Sequence, residues 1–176
     1  MSPPDISEGT VDPLASSTQA VFQHAVDRVS RGGLPRLLRL ELPADPVVVS
    51  VARDRVRQWL TALCWPADQG GDVVLAVSEA MSNAAEHAYR DQAVGLVTMT
   101  GGVETVPGGQ RRVTVVVRDY GRWRPIPIRH DNRHRGIPIM RACMDTVTIE
   151  HSPDDQVGTC VVLRSRVVPG GGRSTN

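Results

Sequence analysis

Apolar residues recur along this chain with two periods, and the switches between them lay out the elements. Leu38, Leu40 and Leu42 alternate with Arg39 and Glu41, the two-residue period of a half-buried strand. Asp45-Pro46 then supplies an N-cap and a proline at the first helical position. Beyond it Val49, Ala52, Val56, Trp59, Leu60 and Leu63 fall on one helical face, and the run stops before Pro66. Gly70-Gly71-Asp72 is expected to start a second helix, in which Val73, Val77, Ala80, Met81, Ala84 and Ala88 form one broad apolar arc. From Gly95 the period returns to two: Leu96–Glu104 and Arg112–Arg118 read as a hairpin turning on Pro107-Gly108-Gly109. Val113–Val117 is apolar on both faces, as befits a central strand. Gly136–Met144 is expected to be a short helix with Pro138 in its first turn, and strands at Thr146–Glu150 and Thr159–Val167, joined by a turn at Asp154-Asp155, complete the pattern.

Strand, two helices, two strands, loop, helix and two strands make an α/β two-layer sandwich, a mixed and mostly antiparallel sheet with helices on one face. The other face is left to water or to a partner. The core domain is read as residues 36–168, flanked by a flexible N-terminal extension over 1–35 and a C-terminal tail over 169–176. Within the extension Thr18–Val29 has the spacing of a short helix ending at Gly32-Gly33.

Composition narrows the chemistry. A chain of 176 residues suits one domain with its own core. Cys64, Cys143 and Cys160 have neither a CxxC spacing nor an even count, so they read as small core residues. No stretch has the apolar length of a membrane span and no leader pattern opens the chain, so the expected location is the cytoplasm. A net charge of +1 argues against a general polyanion binder. All 20 basic residues are arginine. Walker-A loops and eukaryotic-type protein kinases place a lysine on the nucleotide phosphates, and Schiff-base catalysis needs one, so all three are excluded.

Candidate chemistry concentrates at a few positions. Glu79, Asn83 and His87, spaced four apart, form a polar stripe beside the apolar arc of the second helix. Asp119 ends a buried strand and Gly121 follows it, a pairing suited to reading the polar edge of a flat ligand. Gly136 opens a helix, where backbone N–H groups favour phosphate. Beside it residues 122–135 hold Arg122, Arg124, Arg129, Arg133 and Arg135 with His130 and His134, a basic loop broken by Pro125 and Pro127. Asn83 offers an amide oxygen of the kind Mg²⁺ accepts beside phosphates, and Glu79, one turn earlier, is placed to take a proton from a hydroxyl. Each position also has a plainer reading: a solvated helix edge, a charged strand end, turn glycines and a solvated loop.

Taken together, Glu79-x-x-x-Asn83-Ala84-x-x-His87-Ala88, Asp119-x-Gly121, Arg135-Gly136-Ile137-x-Ile139-Met140 and Gly158-Thr159 resemble, in order and spacing, the GHKL (histidine-kinase-like) ATPase superfamily. Within it they are similar to the bacterial anti-sigma-factor serine kinases, over about Arg36 to Val168. The resemblance implies a Bergerat-type fold binding ATP and Mg²⁺. It makes Glu79 the general base toward a serine hydroxyl and Asn83 the Mg²⁺ ligand. It makes Asp119 the acceptor for the adenine amino group, with Gly121 lining the pocket and Thr159 supporting the contact. Gly136, with Arg135 and Ile137 beside it, borders the phosphates under a lid drawn from residues 122–135, and His87 packs or orients. The partners implied are a sigma factor and a STAS-type anti-sigma-factor antagonist, with a homodimer common in the family. This sequence departs from the pattern at Trp123, where a second glycine often stands, and at Pro138.

Three rival functions remain. A binding module of the same fold would sequester a regulator with little or no phosphate transfer. A nucleic-acid binder would use the arginine cluster, but aromatics are 3% of the chain and the helix after the cluster is apolar. A sensor-kinase output domain would need a preceding helix pair for dimerisation, and the sequence presents none.

Overall fold

The computed structural model describes residues 37–89, 94–121, 135–151 and 158–170. The expected helix at Thr18–Val29, the arginine-rich segment 122–134, the Asp154-Asp155 turn and most of the C-terminal tail lie outside the described residues.

Among the described residues five strands form one sheet: β1 (Leu37–Pro43), β2 (Leu96–Thr105), β3 (Arg111–Asp119), β4 (Thr146–His151) and β5 (Thr159–Arg164), in the order β1-β2-β3-β5-β4. All four pairings are antiparallel, so the mostly antiparallel expectation holds throughout the described sheet. The strand apolar on both faces, β3, is the central one. Its hairpin with β2 turns where expected, with Gly108 at φ 85° and Gly109 at φ 75°, left-handed values that glycine adopts without a Cβ clash.

Among the described residues three helices cover one face. In α1 (Val48–Ala62), Ala52, Val56, Trp59 and Leu60 are buried as the spacing required. The helix starts two residues later than Asp45-Pro46 implied, with Val47 at the N-cap and Val48 first in the helix: the Asp45 carboxylate accepts from Val47 N–H at 2.8 Å in the turn before it and does not cap the helix itself. Arg111 closes the other end by donating to the Leu63 carbonyl at 2.9 Å while its guanidinium stacks over Trp65. The second helix, α2, runs Ala67–Asn83 and continues as a π-helical turn over Ala84–Ala88. It starts before the expected Gly70. Pro66 precedes its first turn and its carbonyl accepts from Gly70 N–H at 2.8 Å, while Gly70 is buried beside Leu60 and Trp65. Tertiary packing outweighs the poor helix propensity of the glycine pair. The arc Val73, Val77, Ala80, Met81, Ala84 and Ala88 is buried throughout. The short helix α3 spans Gly136–Cys143 with Met140 fully buried.

Two further expectations are corrected. Regular pairing of β5 ends at Arg164 rather than Val167, because the Ser165 hydroxyl accepts from Val113 N–H at 3.0 Å, and the pairing resumes only at Val168 with Arg111. Of the three cysteines Cys160 alone is buried; Cys64 is exposed at φ 51° just past α1. No helix among the described residues is long and apolar enough to cross a membrane.

Candidate functional site

Strand parity aims the first element of the site. Along β3 the buried positions are Val113, Val115, Val117 and Asp119, so the carboxylate continues the apolar row on the helix side of the sheet. It is only 6% exposed. Two backbone donors reach the same oxygen: Gly121 N–H at 3.1 Å and Thr159 N–H at 3.2 Å from Oδ1. Burial pushes the Asp119 carboxyl above the usual carboxylate range, opposed by those N–H groups, the Thr159 hydroxyl and the nearby charge of Arg118. Thr159 lies in phase with Val161 and Leu163 of β5, and Asp119 is in turn paired with Val97 of β2. Gly158, at φ 85°, lies so close to the Asp119 carbonyl that a side chain there would overlap it.

The second element is the contact between α2 and α3. A Cβ on Gly136 would stand 3.1 Å from Glu79 Oε2 and 3.3 Å from both Asn83 amide atoms. The carboxylate and amide of one helix therefore lie against the first turn of the other, with room for a hydrogen and little more. Both Glu79 and Asn83 are partly exposed. Arg135 immediately precedes α3 and its carbonyl accepts from Ile139 N–H at 2.9 Å, while Ile137 packs half-buried against the core. His87 falls in the π-helical turn, and its side chain lies outside the described residues.

The two elements are joined through the end of α2. Gly121 rests on Ala88, whose carbonyl occupies the place a Cβ would need. Sequence reasoning passed over the next residue, Tyr89. Its hydroxyl donates to the Leu96 carbonyl at 2.7 Å and accepts from Tyr120 N–H at 2.9 Å, and its ring lies against Gly95 where no side chain would fit. The signal available was an aromatic with a polar tip directly after a helix and shortly before a glycine that opens a strand. Burial raises its phenol pKa, with the hydrogen bond from Tyr120 pulling the other way.

Glu79, Asn83 and Gly136 are thus brought together, as are Asp119, Gly121 and Thr159, and the π-helical turn links the groups. A separate cleft of about 340 Å³, lined by Pro46, Val49, Ser50, Arg53, Ser82, Ala85 and Glu86, takes in none of these side chains.

Residues 42–165 match the histidine kinase-like ATPase domain family. Among curated proteins the chain is 32% identical over 84 residues to the serine-protein kinase RsbW of Bacillus velezensis, and 31% identical over 84 residues to RsbW of Bacillus subtilis. Each match covers 48% of this chain and 49% of the relative, so the chain spans about half the length of the curated relatives it matches. Among solved structures it is similar to the SiaB-SiaC complex from Pseudomonas aeruginosa at 14% identity and a TM-score of 0.46, covering 91% of this chain and 100% of the other. A histidine kinase domain from Erythrobacter litoralis EL346 aligns at 20% identity and a TM-score of 0.41, covering 89% and 75% of the two chains. With most of its residues inside the matched span, the chain belongs to the histidine kinase-like ATPase domain family.

Proposed function

We propose that this chain is an ATP-dependent serine-protein kinase that acts as an anti-sigma factor in the cytoplasm. The observation that carries the reading is the approach of Gly136 to Glu79 and Asn83, which puts a carboxylate, an amide and a helix start within one side-chain radius of each other. The gap between Gly136 and the two side chains is closed, and what the contact supplies is placement: the first-turn N–H groups of α3 lie beside a carboxylate and an amide oxygen, the donor and acceptor types that a Mg-nucleotide needs. The names of the two Bacillus relatives supply the protein-serine substrate class.

In this reading Asp119, oriented by the Gly121 and Thr159 amides, accepts from the purine amino group, and the Thr159 hydroxyl supports it. Gly121 lines the adenine pocket, its missing side chain letting the end of β3 close on Ala88. Arg135, Gly136 and Ile137 border the phosphates, favoured by the N–H groups of the first turn of α3. Asn83 would hold Mg²⁺, and His87 packs or orients. Glu79 takes the proton from the attacking serine hydroxyl. ATP supplies the transferred phosphoryl group and Mg²⁺ neutralises charge on it. The proposed substrate is a serine on a STAS-type anti-sigma-factor antagonist, the sequestered protein is a sigma factor, and the working form is a homodimer.

The test combines calorimetric titration of ATP and ADP, with and without Mg²⁺, and transfer of labelled phosphate to a cognate antagonist. Glu79→Ala is expected to keep nucleotide affinity and abolish transfer, whereas Asn83→Ala weakens binding of Mg-ATP. Transfer by Glu79→Ala at the wild-type rate removes the general-base assignment. A wild-type protein that captures a sigma factor equally with and without nucleotide, and never transfers phosphate, is a sequestering module instead.

A further inference from the structure

Three chain segments distant in sequence meet at one phenol. Tyr89 follows the π-helical turn that extends α2, Leu96 opens β2, and Tyr120 follows Asp119 at the end of β3. The hydroxyl uses its donor on Leu96 and an acceptor lone pair on Tyr120 N–H, so both hydrogen-bond capacities are committed to backbone. Tyr120 N–H lies between Asp119 and the Gly121 N–H that itself holds Asp119 Oδ1. Immediately before Tyr89, Ala88 supports Gly121 from below. We infer that Tyr89 is a positioning residue for base recognition, which fixes the Asp119–Gly121 corner against the end of the helix that carries Glu79 and Asn83. The inference rests on the nucleotide reading given above and deepens it.

The geometry separates this role from general packing. The Tyr89 ring lies against Gly95, and a phenylalanine would retain that contact. Removing the oxygen alone releases Tyr120 N–H and the Leu96 carbonyl while the core below is untouched. The corner that reads the base then loosens, whereas the Glu79, Asn83 and Gly136 contact lies on another part of α2 and keeps its place. Affinity for adenine should fall with the chemical step unchanged: KM rises and kcat stays. Two backbone groups left with weaker partners correspond to about a five- to tenfold loss.

The experiment measures ADP and GDP dissociation constants for wild type, Tyr89→Phe, Gly95→Ala and Asp119→Asn, with amide exchange at Tyr120 and Gly121 followed in the nucleotide-free protein. Gly95→Ala displaces the ring and tests the same contact from the other side. The expected result is faster Tyr120 exchange and a five- to tenfold weaker ADP constant in Tyr89→Phe. The ADP-over-GDP preference should narrow there, vanish in Asp119→Asn and also fall in Gly95→Ala. If wild type prefers ADP and Asp119→Asn does not, while Tyr89→Phe matches wild type in preference and exchange, the positioning role is overturned and the nucleotide reading survives. If wild type binds neither nucleotide, both fall together.

Discussion

Replacing Gly136 by alanine separates folding from chemistry at one atom. Gly136 begins a helix, where alanine is the better residue by up to about 1 kcal/mol. Against that gain, the new methyl would stand 3.1 Å from Glu79 Oε2 and 3.3 Å from Asn83 Oδ1 and Nδ2. Ordinary carbon contacts lie at about 3.5–4.0 Å, so each side-chain end must yield by a few tenths of an ångström. Both are tips of flexible side chains, and yielding is cheap. Net stability should therefore stay within about 1 kcal/mol of wild type, a melting shift of a few degrees for a domain of this size. Catalysis is far less tolerant: a displacement of about 1 Å costs about a hundredfold, so about a third of that at Glu79 costs about fivefold. The same displacement at Asn83 multiplies it to about twentyfold in kcat/KM. The assay is phosphate transfer beside thermal melting, with Gly71→Ala as control. Gly71 lies in α2 with nothing near its Cβ position, so that variant should gain about 0.5–1 kcal/mol and keep full activity. Wild-type transfer by Gly136→Ala, or a stability loss beyond about 3 kcal/mol, would refute the reasoning.

Asp119→Asn keeps an oxygen for the Gly121 and Thr159 amides but removes a charge that burial disfavours. Because the folded carboxyl pKa is raised, wild-type stability from this group is full below the unfolded pKa and declines as pH rises through the folded one. The stability advantage of the asparagine variant should therefore grow from acid toward neutral pH in melts run as a pH series, and a flat difference contradicts the burial effect. By the same shift, wild-type ADP affinity should fall on acidification at a higher pH than an ordinary aspartate would give, measured by calorimetry. Gly101→Ala would put a methyl 2.9 Å from the buried Trp59 ring, which cannot yield as a flexible tip can. A cost of about 1–3 kcal/mol is expected, read as a lower denaturant midpoint at unchanged m.

The elements were legible because one burial pattern decides each of them. The two-residue period gave the β2–β3 hairpin and the helical arc from Val73 to Ala88 gave the buried side of α2, but β3 read as apolar on both faces, and only the packed sheet shows that one face is buried and that Asp119 lies on it. What stayed hidden depends on contacts between segments. Gly70 does not open α2 because Leu60 and Trp65 cover it, a relation no local window contains. The π-helical turn at Ala84–Ala88 accompanies the seat of Gly121 on Ala88 and the anchorage of Tyr89 to two strands. Ser165 ends regular pairing through a hydroxyl that stands in for a carbonyl, which strand propensity does not register. Nor could spacing along α2 reveal how near Glu79 and Asn83 come to Gly136, although it put them on one stripe.

The row Val113, Val115, Val117, Asp119 makes the recognition corner a matter of odd and even. Deleting one residue within that strand would leave a chain still able to form a hairpin, yet the acid would emerge on the wrong side, beyond reach of Thr159. Deleting two would restore its side and cost only reach. The turn at Val106–Gln110 sets the register of β2 against β3, so a change of length there is bound by the same count. Over time, strand and turn should change length together, in steps that keep the acid on the helix side.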